Sequence, residues 1–413
     1  MPDERVPAWK NPMAWLPHAI AEAALSGTGT PDAEMAEAWD HLQERLSAAA
    51  QLVASTPANG NRIDHAAGMR HLMILLAVGI DMALRVDPDP VLAVNRAKMD
   101  DVVTWGLECP DCVYLNATMR AGESYRLYGN RGTARYVGLQ TMDGMTTTAN
   151  ALVDELEVDA DGHFEVVLSA EEHPGNWLRL AGEHPVLTVR NFLYDWDTET
   201  VAELKIERIG DPVQPPDRSV DPETSVARQL YALGEFVYDN LKLFLDFGAM
   251  PQANGFIPPA DMSAMGAAAE NRPVIGRFEL ADGEALILEF DPPVGVYWSI
   301  SLGNPWLETI NYGRRQSSLN GHQAVTDSDG KVRFVLSARD PGVANWLDTA
   351  GHSNGAMLLR CVRTETAPMP DVRRVNADEV LQHLPADTAR CRPAERAAVV
   401  EGRRRAVHDR FYR

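Results

Sequence analysis

The sequence predicts an α+β protein, mainly β, built from two related antiparallel β domains with helices before, between and after them. Three observations lead there. From about residue 113, short extended runs alternate with Gly and Asn turns, the texture of a sandwich or barrel. The segment DGHFEVVLSAEEHPGNWLRLAGEH (161–184) recurs as DGKVRFVLSARDPGVANWLDTAGH (329–352). Apolar residues recur at helical spacing in the N-terminal hundred residues and in one central stretch, and the C-terminal tail reads as helical and basic.

Residues 1–100 read as a helical region. Thr30 is placed to cap a helix with Pro31 at its first position, and Met35, Trp39, Leu42, Leu46 and Val53 form one face. After the break TPANGN, a second helix runs from about Asp64 to Leu84, with Met69, Met73, Leu76 and Ile80 on one face. Residues 101–215 carry the first β domain, with strands such as SYRLYGN, HFEVVLS and HPVLTVRNFLY. A Pro-rich connector leads into a linking helix within 216–250, striped by Val226, Leu230, Leu233, Val237, Leu241 and Phe244. The second β domain is expected over 251–368. Residues 369–413 form a helical tail whose last 25 residues hold eight Arg and three acids.

Composition narrows the function classes. A formal charge of −21 repels nucleic acid and anionic membrane, so neither is an expected partner. The N-terminus MPDERVPAWKNP lacks a basic region followed by an apolar one, so no secretory signal is expected. The run HLMILLAVGI is shorter than the ~20 residues a membrane span needs. Four cysteines in 413 residues are no disulfide framework, which fits a reducing cytoplasm. The basic tail is expected to dock on the body or on a sister subunit, so a homo-oligomer through the helical regions or the tail is anticipated.

Duplication separates fold from chemistry, because residues kept in both copies need only serve the fold. Asp161/Asp329 with Gly162/Gly330 read as turns, Trp177/Trp346 as core anchors and Asn176/Asn345 as backbone hydrogen bonders. Residues that break the repeat are freer to do chemistry.

At this point the chain resembles the bacterial family called domain of unknown function 1214. The resemblance spans about residues 100–365 and rests on CPDCVYLNATM, YRLYGNRGTARYVGLQ, VRNFLYDWDTE, GVYWSISLGNPWLET and SLNGHQAVTDSDG. It implies two β-sandwich, jelly-roll-like halves, and no catalytic residue set.

The Cys109-Pro-Asp-Cys112 motif lacks a second cysteine pair for zinc and is followed by a strand, not by a helix that would activate a thiol. Family members commonly carry N-P-D-N there, so the motif is read as a turn. No metal site and no cofactor is expected. Tyr114 and Asn116, just beyond it, are candidate ligand contacts. In FLYDWDTET, Asp195 and Asp197 share a face if the strand continues, as acid–base or polyol-binding carboxylates; the other possibility is an Asx turn.

In the second copy, His322 stands near the position of Asp154, Asp348 replaces Arg179, and Tyr312, Arg314 and Arg315 have no counterpart. A cofactor-independent hydrolase or lyase acting on a small, largely apolar organic molecule follows as the first expectation. His322 is its acid/base, Asp348 the orienter, and Arg314 or Arg315 the anion clamp. Trp298, Tyr312 and Tyr114 are expected as walls and His352 as a further contact. The alternative is a non-catalytic carbohydrate or small-ligand binder with a Trp- and carboxylate-lined sandwich face. A structural or assembly module is the third possibility.

Overall fold

The computed structural model describes residues 33–56, 62–84, 95–96, 99–144, 146–210, 222–259, 261 and 270–412. The Thr30–Pro31 cap and most of the Pro-rich connector lie outside them. Among the described residues there are four α-helices: α1 (Ala33–Ser55), α2 (Arg62–Leu84), α3 (Pro222–Ala249) and α4 (Pro393–Phe411). The first β domain contains β1 (Asn95–Arg96), β2 (Cys112–Thr118), β3 (Ser124–Asn130), β4 (Tyr136–Asp143), β5 (Thr146–Leu152), β6 (His163–Ser169), β7 (Trp177–Arg179), β8 (Pro185–Phe192) and β9 (Glu203–Ile209). The second contains β10 (Gly255–Ile257), β11 (Val274–Glu279), β12 (Glu284–Phe290), β13 (Gly295–Gly303), β14 (Ser318–Asn320), β15 (Val332–Ser337), β16 (Trp346–Asp348), β17 (Asn354–Thr364) and β18 (Asp371–Asn376).

Strand order makes the duplication explicit. The first domain has sheets β1-β2-β8-β4-β5 and β7-β6-β3-β9; the second has β10-β11-β17-β13-β14 and β16-β15-β12-β18. Adding nine to each strand number converts one domain into the other. Each pair of sheets closes on its own apolar core, around Tyr125, Leu127, Leu139 and Leu168 in the first and Phe278, Leu288, Phe334 and Leu359 in the second. These are sandwiches of two facing sheets. Strand β18 falls in the stretch the sequence assigns to the tail, because it completes the second four-stranded sheet beside β12.

Residues kept in both copies do the same structural work. Gly162 and Gly330 both have φ of +85°, in the left-handed region where a side chain is strained. Trp177 and Trp346 each donate their indole N–H to a serine hydroxyl, Ser169 at 2.9 Å and Ser337 at 3.0 Å. Asn176 bridges the backbone N–H and C=O of Glu157, and Asn345 does the same for Val325.

The helices α1, α2 and α3 share an apolar cluster with Trp306 and Leu358 of the second sandwich. In α3, Leu233, Val237, Leu241 and Phe244 are buried as expected, while Val226 is exposed. In α1, Leu42 and Val53 are buried and Trp39 is exposed. The main difference lies in α2. Its inner face is Leu72, Leu75 and Val78, whereas Met69, Met73 and Ile80 are exposed. The cause is that α2 is apolar on both sides, so periodicity does not choose between them. At 23 residues it is long and apolar enough to cross a bilayer by length and composition, although Gly68 packs on Trp306 and Gly79 on Leu233 and Phe236.

Candidate functional site at the seam between the sandwiches

The Cys-Pro-Asp-Cys loop enters β2 at the junction of the two sandwiches. Cys112 N–H donates to Cys109 C=O at 3.0 Å, closing a turn. Both thiols are free and buried. Burial pushes the Cys109 thiol up to about 11 and the Cys112 thiol well above its ordinary value. Neither is a thiolate nucleophile at neutral pH.

Asp111 between them is 1% exposed, and its carboxylate is a hub. Oδ1 accepts from Trp196 Nε1 at 2.6 Å and from Asn320 Nδ2 at 2.8 Å. Oδ2 accepts from the Tyr297 hydroxyl at 2.6 Å. The donors come from both sandwiches, so this one carboxylate ties the copies together. The opposite side of the seam repeats part of this arrangement. The Tyr136 hydroxyl, which aligns with Tyr297, donates to Glu270 Oε2 at 2.8 Å. Backbone bonds confirm the equivalence of the acids: Leu193 N–H donates to Asp111 C=O, and Arg363 N–H to Glu270 C=O. Each copy thus receives a tyrosine from the other. The two sides differ in their cations. Arg363 pairs directly with Glu270 at 3.0 Å, whereas Asp111 is held by neutral donors.

The tail closes the Asp111 side. Arg396, Arg403 and Arg410 are each under 10% exposed and recur every seven residues, two helical turns, on one face of α4. Arg403 donates to Tyr312 C=O at 2.8 Å and Ser318 Oγ at 2.7 Å. Arg410 donates to Pro110 C=O at 2.6 Å. Their guanidinium groups lie 4.5 and 4.6 Å from the centre of the Trp196 ring. Burial lowers the Arg403 pKa to about 10 and that of Arg410 as well. The tail's basic face is therefore engaged by its own chain.

Asn320 carries the hub outward. Its Oδ1 accepts from the N–H groups of His322 and Gln323 at 3.0 and 3.1 Å, which shapes the turn bearing His322. Gly321 sits where a Cβ would fall 2.4 Å from the Tyr194 hydroxyl and 2.5 Å from Trp298 Nε1, so only glycine fits. The His322 ring is exposed, lies 6.5 Å from the Tyr194 ring, and makes no hydrogen bond of its own among the described residues. Asp195 stands beside it. Hydrogen bonds from the Thr198 hydroxyl (2.7 Å) and the Asp197 N–H (3.0 Å) hold the Asp195 carboxyl below its ordinary range. The proximity of His322 acts in the same direction. The Arg135 guanidinium lies 5.5 Å from the Tyr194 ring centre.

Several expected residues lie elsewhere. Asp348 pairs with Arg315 at 2.8 Å and accepts from Ala350 N–H; no bond joins it to His322. The reason is that Asp348 ends β16 in one sheet while His322 follows β14 in the other. Arg314 is exposed, its N–H bonded to Asn311 Oδ1. His352 Nδ1 contacts Asp64 Oδ1 of α2 at 2.5 Å, which fastens helix to sandwich. Trp298 belongs to the core of the second sandwich. Tyr312 is 1% exposed and edge-on to Trp196. Tyr114 is half-buried, its hydroxyl accepting from Cys109 N–H at 3.0 Å. Asn116 is half-buried on β2, its Oδ1 without a partner. Strand β8 stops at Phe192, so Asp195 and Asp197 occupy an Asx turn, not one strand face.

Sequence reasoning passed over Asp111, Asn320, Arg135 and Glu108. The last is 4% exposed with neither carboxyl oxygen hydrogen-bonded, and burial raises its pKa to about 8. Among the described residues, no group of three His, Cys, Asp or Glu is placed to hold a metal ion. An open groove of about 940 Å³ runs over the outer side of the first sandwich, lined by Tyr128, Glu157, Asp159, His163, Glu165 and His173, among others.

Two sandwiches of identical topology, sealed by a shared carboxylate hub and an arginine-striped helix, define a tandem β-sandwich protein. Residues 280–366 match the family model described as "Protein of unknown function (DUF1214)". A solved structure of an uncharacterised protein from Burkholderia cenocepacia is 30% identical, with 82% of this chain and 97% of that chain covered and a TM-score of 0.75. The DUF1214 match therefore lies within the second sandwich, and the Burkholderia structure shares the fold over most of the chain. The VPA0106 protein from Vibrio parahaemolyticus is also similar, at 14% identity over 74% of this chain and 98% of that chain, with a TM-score of 0.42. No curated protein matches the chain.

Proposed function

We propose that the protein is a cytoplasmic enzyme of the hydrolase or lyase class, acting without a cofactor on a small, largely apolar organic molecule at the seam between the sandwiches. His322 is its general acid/base. The observation that supports this is the His322 turn itself: an exposed imidazole, free of hydrogen bonds and next to a carboxylate whose ionised form is stabilised. Asp195 takes the place beside His322 that sequence reasoning gives to Asp348. Arg135, also exposed, is the cation for a developing or bound carboxylate. Four free thiols fit a reducing compartment.

The test is turnover of a panel of small esters, lactones and β-hydroxy acids by the wild type and variants. His322→Ala is expected to lower kcat/KM by at least roughly 100-fold, the scale of acid/base catalysis. Asp195→Asn is expected to lower it less. Unchanged turnover in His322→Ala removes the proposal. The groove over the first sandwich supports a second reading, a binder of small polar ligands. It contains carboxylates and histidines but no tryptophan, and Arg126 covers the Tyr128 ring at 4.4 Å, so stacking on a sugar is impeded. Calorimetric titration with oligosaccharides discriminates: saturable binding abolished by Glu165→Ala together with His173→Ala favours this second reading.

A further inference from the structure

We propose that Asp111 is the positioning residue of the His322 site: one of its oxygens sets the turn that carries His322 against the turn that carries Asp195. Its role in catalysis rests on His322 being the acid/base; the geometry does not. Asp111 Oδ1 accepts from Asn320 Nδ2 at 2.8 Å and from Trp196 Nε1 at 2.6 Å. Asn320 stands two residues before His322, and its Oδ1 holds the N–H groups of His322 and Gln323. Trp196 is the residue after Asp195. A single atom thus joins two turns that belong to different sandwiches. Asn320 Nδ2 also reaches Tyr194 C=O at 3.1 Å, and Leu193 N–H donates to Asp111 C=O at 2.8 Å. The start of the Asp195 turn is therefore held by the same pair of side chain and backbone.

Chemistry fixes the acceptor that this junction needs. An indole N–H and an amide NH2 only donate, so the atom between them has to be an oxygen that carries no hydrogen. The second oxygen is less constrained. Tyr297 donates its hydroxyl to Oδ2 at 2.6 Å and lies 3.1 Å from Cys109 Sγ, and a hydroxyl can also accept. Asparagine at 111 therefore keeps both Oδ1 bonds by turning its NH2 toward Tyr297, whereas alanine removes them. Asp111 and Asn320 are 1% and 0% exposed, so water is a poor substitute for a lost partner. The His322 and Tyr194 rings stand 6.5 Å apart, and in a catalytic site a shift of about 1 Å costs roughly 100-fold in rate. The other side of the seam supplies a control. Glu270 also accepts from the tyrosine of the opposite copy, Tyr136 at 2.8 Å, but its further partners are Asn150 and Arg363, which lie outside both turns.

A nuclear Overhauser contact between the His322 and Tyr194 ring protons of the full chain reads this register without a substrate, with His322→Gln used to assign the imidazole signals. The contact is expected in the wild type, in Asp111→Asn and in Glu270→Ala, and is expected to vanish in Asp111→Ala. Should Asp111→Ala not fold, Asn320→Ser cuts the same tie from the other side. Serine still accepts from the N–H groups of the turn but is too short to reach Asp111, and the same loss is expected. On an ester that the wild type turns over, Asp111→Ala is expected to lower kcat roughly 10–100-fold with KM changed less than about twofold, and Asp111→Asn to restore it. The proposal is overturned by a contact absent from the wild type, or by one that survives in folded Asp111→Ala or Asn320→Ser. An equal loss in Glu270→Ala also overturns it, since the effect is then one of seam stability, and so does a folded Asp111→Asn that behaves as Asp111→Ala. Turnover unchanged by His322→Ala, with the contact still lost in Asp111→Ala, removes the acid/base role and upholds the register.

Discussion

Asp111 shows how much one buried carboxylate organises. Asp111→Ala leaves Trp196, Asn320 and Tyr297 with donors unmet in a buried seam, at a cost of about 2–4 kcal/mol. Urea denaturation is expected to show this loss, and a smaller one for Glu270→Ala, whose side chain is 18% exposed. Glu108 makes the opposite prediction. Its pKa is near 8 in the fold against 4.5 unfolded. Below pH 4.5 both states hold the proton and the stability is whole. Between about 4.5 and 8 only the unfolded state releases it, so stability falls as pH rises. Glu108→Gln carries no such proton, so it is expected to gain about 2–4 kcal/mol on the wild type between pH 5 and pH 8. Parallel urea midpoints for the two proteins are the check; midpoints that keep a constant difference across that range refute the shift. Cys109 and Cys112 are raised in the same sense by burial, so iodoacetamide at pH 8 is expected to label only Cys391, which is half-buried, until the protein is denatured. Of these residues, only the cysteine turn was legible in the sequence. Asp111 and Asn320 are 209 positions apart, and nothing local marks either of them as a partner of the other.

At the scale of elements, helix α4 shows which of two alternatives the tertiary structure takes. Its Arg-rich composition is expected to dock on the body or on a sister subunit, and Arg396, Arg403 and Arg410 are buried against Asp340, Tyr312, Pro110 and Trp196 of the same chain. Arginine suits this position because its planar group stacks on an indole while its N–H groups reach backbone carbonyls. Arg403→Ala is expected to cost about 2–3 kcal/mol, combining lost hydrogen bonds and lost stacking. Arg404→Ala, exposed and paired only with Glu401, is expected to change little. Thermal melts of the two variants separate these outcomes. Strands were more legible than helix faces. Alternation along HFEVVLS and VRFVLS has one solution in a sandwich, whereas α2 offers two apolar faces and α1 placed Trp39 outward.

Across the whole molecule, duplication carries most of what the amino-acid order announces. The D-G turns, the N-W-L strands and the two-sheet halves are local patterns, decided by residues within a few positions of one another. Those patterns by themselves determined the fold class, the repeat and the roles of Gly162/Gly330, Asn176/Asn345 and Trp177/Trp346. Tertiary structure decided how the copies meet. It exchanged Tyr297 and Tyr136 between them, turned the Cys-Pro-Asp-Cys loop into the joint, and set His322 beside Asp195 instead of Asp348. The physical reason is that strand period and turn chemistry are short-range. By contrast, which polar groups are left facing one another depends on the packing of two whole sheets, with partners such as Asp111 and Tyr297 186 residues apart.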